Sequence, residues 1–229
     1  MTVRRARRAG RRGGLLLLVA LAGLAAPRHA TAAPAPLCGS GKNATLQQTS
    51  EARVYVRDET VFTCAPKVGR AYKLGNKQSC HNDCRGIEKV TISGRFVAYA
   101  DEFSDKNSAD DSFVIHVRDA RSGRVIFSVS EGSSGTLRAV LDRLVLDRRG
   151  KIAWVSSSLA SEGGALTGRL VSRSPDCGAR QLASDLHIDA SYLRLEASGT
   201  LSWRVEGRVQ RARLCPQSSH RGGALLLVR

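Results

Sequence analysis

At 229 residues, with 36 Lys and Arg against 20 Asp and Glu, the chain has a formal net charge of +16 and only 5% aromatic residues. Nucleic-acid binding asks for a basic face interleaved with stacking rings, and the shortage of rings argues against it. Acids also alternate with arginines in RVYVRDE, VLDRLVLDRR and RLEASG, the pattern of a solvated surface.

The N-terminus carries six arginines before Gly13 and no acid. An apolar run follows from Leu15 to Ala26, and then Pro27 and the small-residue triplet Ala30-Thr31-Ala32. A membrane span takes about 20 apolar residues, so the 12-residue run is short for an uncleaved anchor. Charged start, apolar middle and A-x-A site predict a secretory signal peptide over residues 1–32, cleaved after Ala32. The remainder, 33–229, is expected to be secreted as one repeat domain with no membrane span. Leu37 before Cys38 disagrees with a lipoprotein signal, and the arginine pairs lack the hydrophobic residues of a twin-arginine signal. Removing seven arginines leaves 29 basic residues against 20 acids, a net +9.

Beyond the cleavage site, CGSGKNAT resembles a phosphate loop only superficially. Pro36 stands where the first glycine belongs, and Asn43 replaces the hydroxyl that would hold magnesium. ARVYVRD and TVFTCAPKVGRAYKL then offer strands around Tyr55 and a turn at Gly69. The loop LGNKQSCHNDCRG holds Cys80 and Cys84. There are six cysteines, and an even count behind a signal peptide implies disulfides. The expected pairs are Cys80 with Cys84, Cys38 with Cys64, and Cys177 with Cys215. A metal role for CHNDC lacks the second ligand cluster that zinc sites require.

VTISGRFVAYA (from Val90), LDRRGKIAWVSS (from Leu146) and LEASGTLSWRV (from Leu195) repeat one design. Each has a leading aliphatic pair, a glycine-containing turn and an alternating run ending in an aromatic. The matching positions are Gly94 and Tyr99, Gly150 and Trp154, and Gly199 and Trp203. Period-two alternation on both sides of such a turn predicts a β-hairpin. A second glycine series, Gly69, Gly123, Gly178 and Gly223, marks a further hairpin in each unit, with Phe127, Leu182 and Leu227 four residues after the last three. Helical spacing in GTLRAVLDRLVLD is overridden by the repeat.

Four units of two hairpins each predict an all-β, propeller-like fold of about four blades with four antiparallel strands per blade. A β-sandwich is the alternative, but it does not require equivalent aromatics at matching offsets. LDRRGKIAWVSS followed by GRLVSRSPDCGARQLAS resembles the TolB-type propeller repeat, with Asp147-Arg148-Arg149-Gly150 in place of the usual Ser-Pro-Asp-Gly. The resemblance runs from Leu144 to Ser184 and from Val90 to Val129. It implies an extracytoplasmic interaction scaffold and brings no catalytic residues.

No G-x-S-x-G nucleophile elbow is present. Ser133 and Ser134 lie in a glycine-flanked loop. Spacing links none of His29, His81, His116, His187 and His220 to a serine and an acid. DEFSDKNSADDS gathers Asp101, Glu102, Asp105, Asp110 and Asp111, but the order of a calcium loop is broken at Ala109. The expectation is a binding module for a protein or cell-envelope partner, with no catalytic, metal or cofactor residues. The alternative is an extracytoplasmic hydrolase with a site in the central channel.

Overall fold

Alternation of apolar and polar residues runs through most strands of the computed structural model. It describes residues 38, 43–80, 83–105, 112–132, 137–160, 167–185, 187–196 and 198–214. These contain strands and no helix. No helix among them is long and apolar enough to cross a membrane.

Strands pair only with their neighbours in sequence, giving four antiparallel sheets. The first is β1 (Ala44–Gln48), β2 (Arg53–Arg57), β3 (Thr60–Cys64) and β4 (Ala71–Asn76). The second is β5 (Ser79–Cys80), β6 (Asp83–Ser93), β7 (Phe96–Asp105), β8 (Ser112–Asp119) and β9 (Val125–Gly132). The third is β10 (Leu137–Leu146), β11 (Ile152–Ala160), β12 (Thr167–Ser174) and β13 (Cys177–Asp185). The fourth is β14 (Ile188–Leu195), β15 (Thr200–Val205) and β16 (Arg208–Arg213). Two of the four sheets therefore depart from the expected four strands. The second gains β5, because CHNDC closes its own small hairpin. The fourth shows three strands among the described residues, and the strand expected around Gly223 and Leu227 lies outside them.

The two glycine series divide. Gly94, Gly150 and Gly199 occupy the β6–β7, β10–β11 and β14–β15 turns with φ of 57°, 80° and 81°. Gly69 and Gly123 serve the second hairpins in the same left-handed region. Gly178 does not; it lies within β13, and the turn ahead of it is made by Pro175 and Asp176. Ser174 Oγ replaces the glycine's function there by accepting the amides of Asp176 and Cys177, both at 3.2 Å. Asp147 works alike at the β10–β11 turn, where Oδ1 accepts the Arg149 and Lys151 amides at 2.8 Å.

The sheets pack face to face in chain order. Ala52, Val54 and Val61 of the first meet Val97 and Tyr99 of the second. The opposite face of β7, with Phe96, Ala98 and Ala100, meets Ile152 and Trp154 of the third. The other face of β11, with Ala153 and Val155, meets Leu201 and Trp203 of the fourth. Tyr99, Trp154 and Trp203 thus sit on the second hairpin strand of their sheets, each turned toward the preceding sheet. Tyr55 holds the same place in the first sheet and packs with Cys64 and Ala71 on its outer face. Each ring removes about 150–250 Å² from water, or about 4–6 kcal/mol gross at 25 cal/mol per Å². The Nε1 atoms of Trp154 and Trp203 and the Tyr55 hydroxyl are buried with no hydrogen-bond partner, so these residues serve through area rather than through their polar tips. A β-sandwich has two sheets, whereas here the two middle sheets of four are covered on both faces.

Candidate functional site

The strands β1, β6, β10 and β14 touch in series from sheet to sheet, and each is bulged. Register shifts fall between Thr45 and Gln47, between Ile87 and Val90, between Leu141 and Arg143, and between Asp189 and Arg194. A bulge leaves a residue unpaired and re-aims its side chain. In the second and third sheets the re-aimed residues are Glu88, Lys89 and Asp142.

These bulges assemble a charged group. Lys89 Nζ donates to Glu88 Oε1 at 2.8 Å. Glu102 on β7 continues the face of Ala98 and Ala100, and its Oε2 accepts from Gln78 Nε2 at 3.3 Å. Its Oε1 is buried with no partner. Burial, and next the hydrogen bond and charge of Glu88, push Glu102 up to about 8. Glu102 therefore holds its proton at neutral pH, and an acid can give that proton to Glu88 where a carboxylate would leave Oε1 unpaired. Burial would raise Glu88 as well, but hydrogen bonds from Lys89 and Glu102 and the lysine's charge bring it below the usual carboxylate range. Burial raises Asp142, against the opposing hydrogen bond of Ser157 and the charge of Lys89. Ser157 Oγ donates to Asp142 Oδ2. Ser156 Oγ donates to Glu131 Oε2 at 2.6 Å.

Beside this group a cavity of about 420 Å³ lies between β4 and the first-sheet face of β6–β8. Lys73, Gly75 and Asn76 form one wall; Arg85, Gly86, Asp101, Glu102, Phe103, Ser112 and Val114 form the rest. Next to Asn76 and Gly86, Lys77 bridges Ile87 in parallel fashion and the Gln78 amide donates to the Ile87 carbonyl at 3.2 Å. That approach requires glycine at 86. Its φ is +117°, and a Cβ there would stand 2.7 Å from the Asn76 carbonyl and 2.9 Å from that of Lys77. The Arg85 guanidinium lies over the Phe103 ring at 4.4 Å.

Farther along the same face, His116 Nδ1 lies 2.7 Å from Ser128 Oγ, and its ring packs on Tyr99 at 5.0 Å. Burial lowers its pKa, against the opposing charge of Asp101. The sequence connects no histidine to a serine and an acid. The pairing arises because β8 and β9 set His116 directly opposite Ser128, which only strand register reveals.

Among the residues singled out in the sequence, Cys38 and Cys64 are bonded to each other, as expected. The backbone places Cys80 opposite Cys84 across the β5–β6 hairpin. Cys177 is disulfide-bonded, and Cys215 lies outside the described residues. So do Asp110, Asp111, Ser133, Ser134, His29, His81 and His220, while Asp101 and Glu102 fall on β7 rather than in a loop. Among the described residues no three His, Cys, Asp or Glu side chains converge as metal ligands. The Glu88–Glu102 pair escapes a reading of the sequence because it depends on a bulge. One signal was available: Glu102 falls in phase with the buried face of Phe96, Ala98 and Ala100.

No protein-family model matches this chain, and no curated protein matches it.

Proposed function

We propose that the chain is an extracytoplasmic binding module, a propeller-like series of about four blades with a TolB-type repeat. It engages a protein or cell-envelope partner through loops at one end of the stack. The observation that carries this reading is the equivalent placement of Tyr99, Trp154 and Trp203, each on the preceding sheet. A blade's faces are covered only by its neighbours, so the design yields a rigid scaffold whose turns are free to vary. Bonded Cys38, Cys64 and Cys177 suit the oxidising compartment that a signal peptide over residues 1–32 would deliver. The favoured end is that of the β2–β3 turn, because the cavity opens beside Asn76 and Ser112 there. A photo-crosslinking residue placed at Glu59 or Asn76 is expected to capture a partner in the native envelope, and one at Arg121 or Arg148 is not. Equal capture from both ends, or from neither, would sink the reading.

One observation favours a hydrolase as the second reading. A protonated Glu102 beside an ionised Glu88, with Glu102 on the cavity wall, is the equipment of general acid–base hydrolysis. Turnover of a glycoside or peptide substrate that disappears in Glu102→Gln would establish it. Absence of turnover with both substrate classes would remove it.

A further inference from the structure

We propose that the cleft between the first and second sheets binds a small zwitterion, a short peptide with both termini free. Its carboxylate is held by Lys73, and its ammonium by Asp101. The proposal rests on the binding-module reading and names one ligand class for it.

The argument begins with volume. A cavity of about 420 Å³ lies within the range of about 300–1,000 Å³ typical of small-molecule sites. It accepts two or three residues and leaves no room for a folded partner.

Charge then selects the ligand. Lys73 stands on the wall given by β4 and Asp101 on the wall given by β7. The side chains of Lys73 and Asp101 make no ion pair or hydrogen bond with any described residue. The neighbouring Glu102 adds no negative charge at neutral pH, because burial and Glu88 keep its proton on. An anion alone would meet Asp101, and a cation alone would meet Lys73. A molecule carrying both charges satisfies both ends at once, and charge-assisted hydrogen bonds are the stronger kind.

The walls suit such a ligand. Phe103, beneath the Arg85 guanidinium at 4.4 Å, and Val114 give an apolar floor for a side chain. Asn76 and Ser112 supply donors and acceptors for a peptide group. Gly86 and Asn76 in the lining are held in place by the close approach of their backbones and by the adjoining Lys77–Ile87 bridge, so little ordering of these two is required on binding.

The test titrates the intact protein with alanyl-alanine, N-acetyl-alanyl-alanine and alanyl-alanine amide, followed by amide chemical shifts. Saturable shifts at Gly75, Gly86 and Val114 with the unblocked dipeptide are expected, with each blocked form about tenfold weaker or worse. Asp101→Asn should abolish the preference for a free amine and keep that for a free carboxylate; Lys73→Met should do the reverse. Both residues are exposed, and an otherwise unchanged spectrum certifies the fold. Equal binding of blocked and free forms, or no saturable shift with any of the three, would overturn the proposal. Partner capture from Glu59, measured on the same variants, separates the two ideas: capture that persists while the dipeptide fails removes the zwitterion and leaves the module standing.

Discussion

The boundary between the second and third sheets and the boundary between the first and second sheets follow one alternation and end differently. At the former, Phe96, Ala98, Ala100, Phe113, Ile115 and Val117 meet Leu141, Leu144, Ile152 and Trp154 in the largest apolar cluster. At the latter, Val97 and Tyr99 begin the same kind of contact, but the face continues into Asp101 and Ser112 and opens into the cavity. The strands of the second sheet outrun their cover. The first sheet's last strand, β4, ends at Asn76, whereas β6 and β7 are 11 and 10 residues long. Overhanging residues cannot be buried by a shorter neighbour, and charge occupies them. A repeat of unequal strands thereby gains a cleft without any dedicated insertion.

The strongest way to break the comparison is Trp154→Ala. Deleting a fully buried ring from the dry boundary should cost about 3–5 kcal/mol, read as the shift in urea midpoint. A loss below about 1 kcal/mol would show that the ring does not hold the sheets together. Gly86→Ala comes next, since it forces a Cβ onto two carbonyls at a positive φ; a cost of about 2–3 kcal/mol is expected. Gly178→Ala is the control, because nothing lies near its Cβ and its φ is not strained; equal losses in the two variants would remove the close approach as a cause.

A finer test concerns pH. Glu102 binds its proton up to about 8 in the folded protein, against 4.5 for an ordinary glutamate. Between these values the folded state holds more protons than the unfolded one, so stability falls as pH rises through that window. Glu102→Gln should flatten the decline in denaturation midpoints between pH 5 and 8; an unaltered slope would assign the titration elsewhere. The smallest expected effect is on the charged boundary. Asp101→Asn should change stability by less than about 0.5 kcal/mol, because the exposed carboxylate makes no ion pair or hydrogen bond with a described residue. A larger loss would mean that Asp101 is structural.

Much of the architecture was legible in the residues. Gly94, Gly150 and Gly199 announce tight turns because a positive φ there favours the residue without a Cβ. The alternation Val97, Tyr99 against Phe96, Ala98, Ala100 announces a strand covered on both faces. Gly178 misled, since a glycine inside a strand carries the same letter as one in a turn; Ser174 and Pro175 were the better guides. The β5 strand was hidden because two residues show no periodicity.

The site was far less legible. Glu88 and Glu102 are 14 positions apart in sequence. They meet only because the β6 bulge between Ile87 and Val90 turns Glu88 out of the pleat. His116 reaches Ser128 through the β8–β9 register, and Lys73 and Asp101 line one cavity from two different sheets. Period, turn chemistry and ring position act over a few residues, so the chain alone determined the four hairpin-built units and the placing of their aromatics. Bulges, unequal strand lengths and the approach of one sheet to the next are set by packing between distant segments. Tertiary structure therefore decided which charges share a proton, which face an open cleft, and where along the stack both occur.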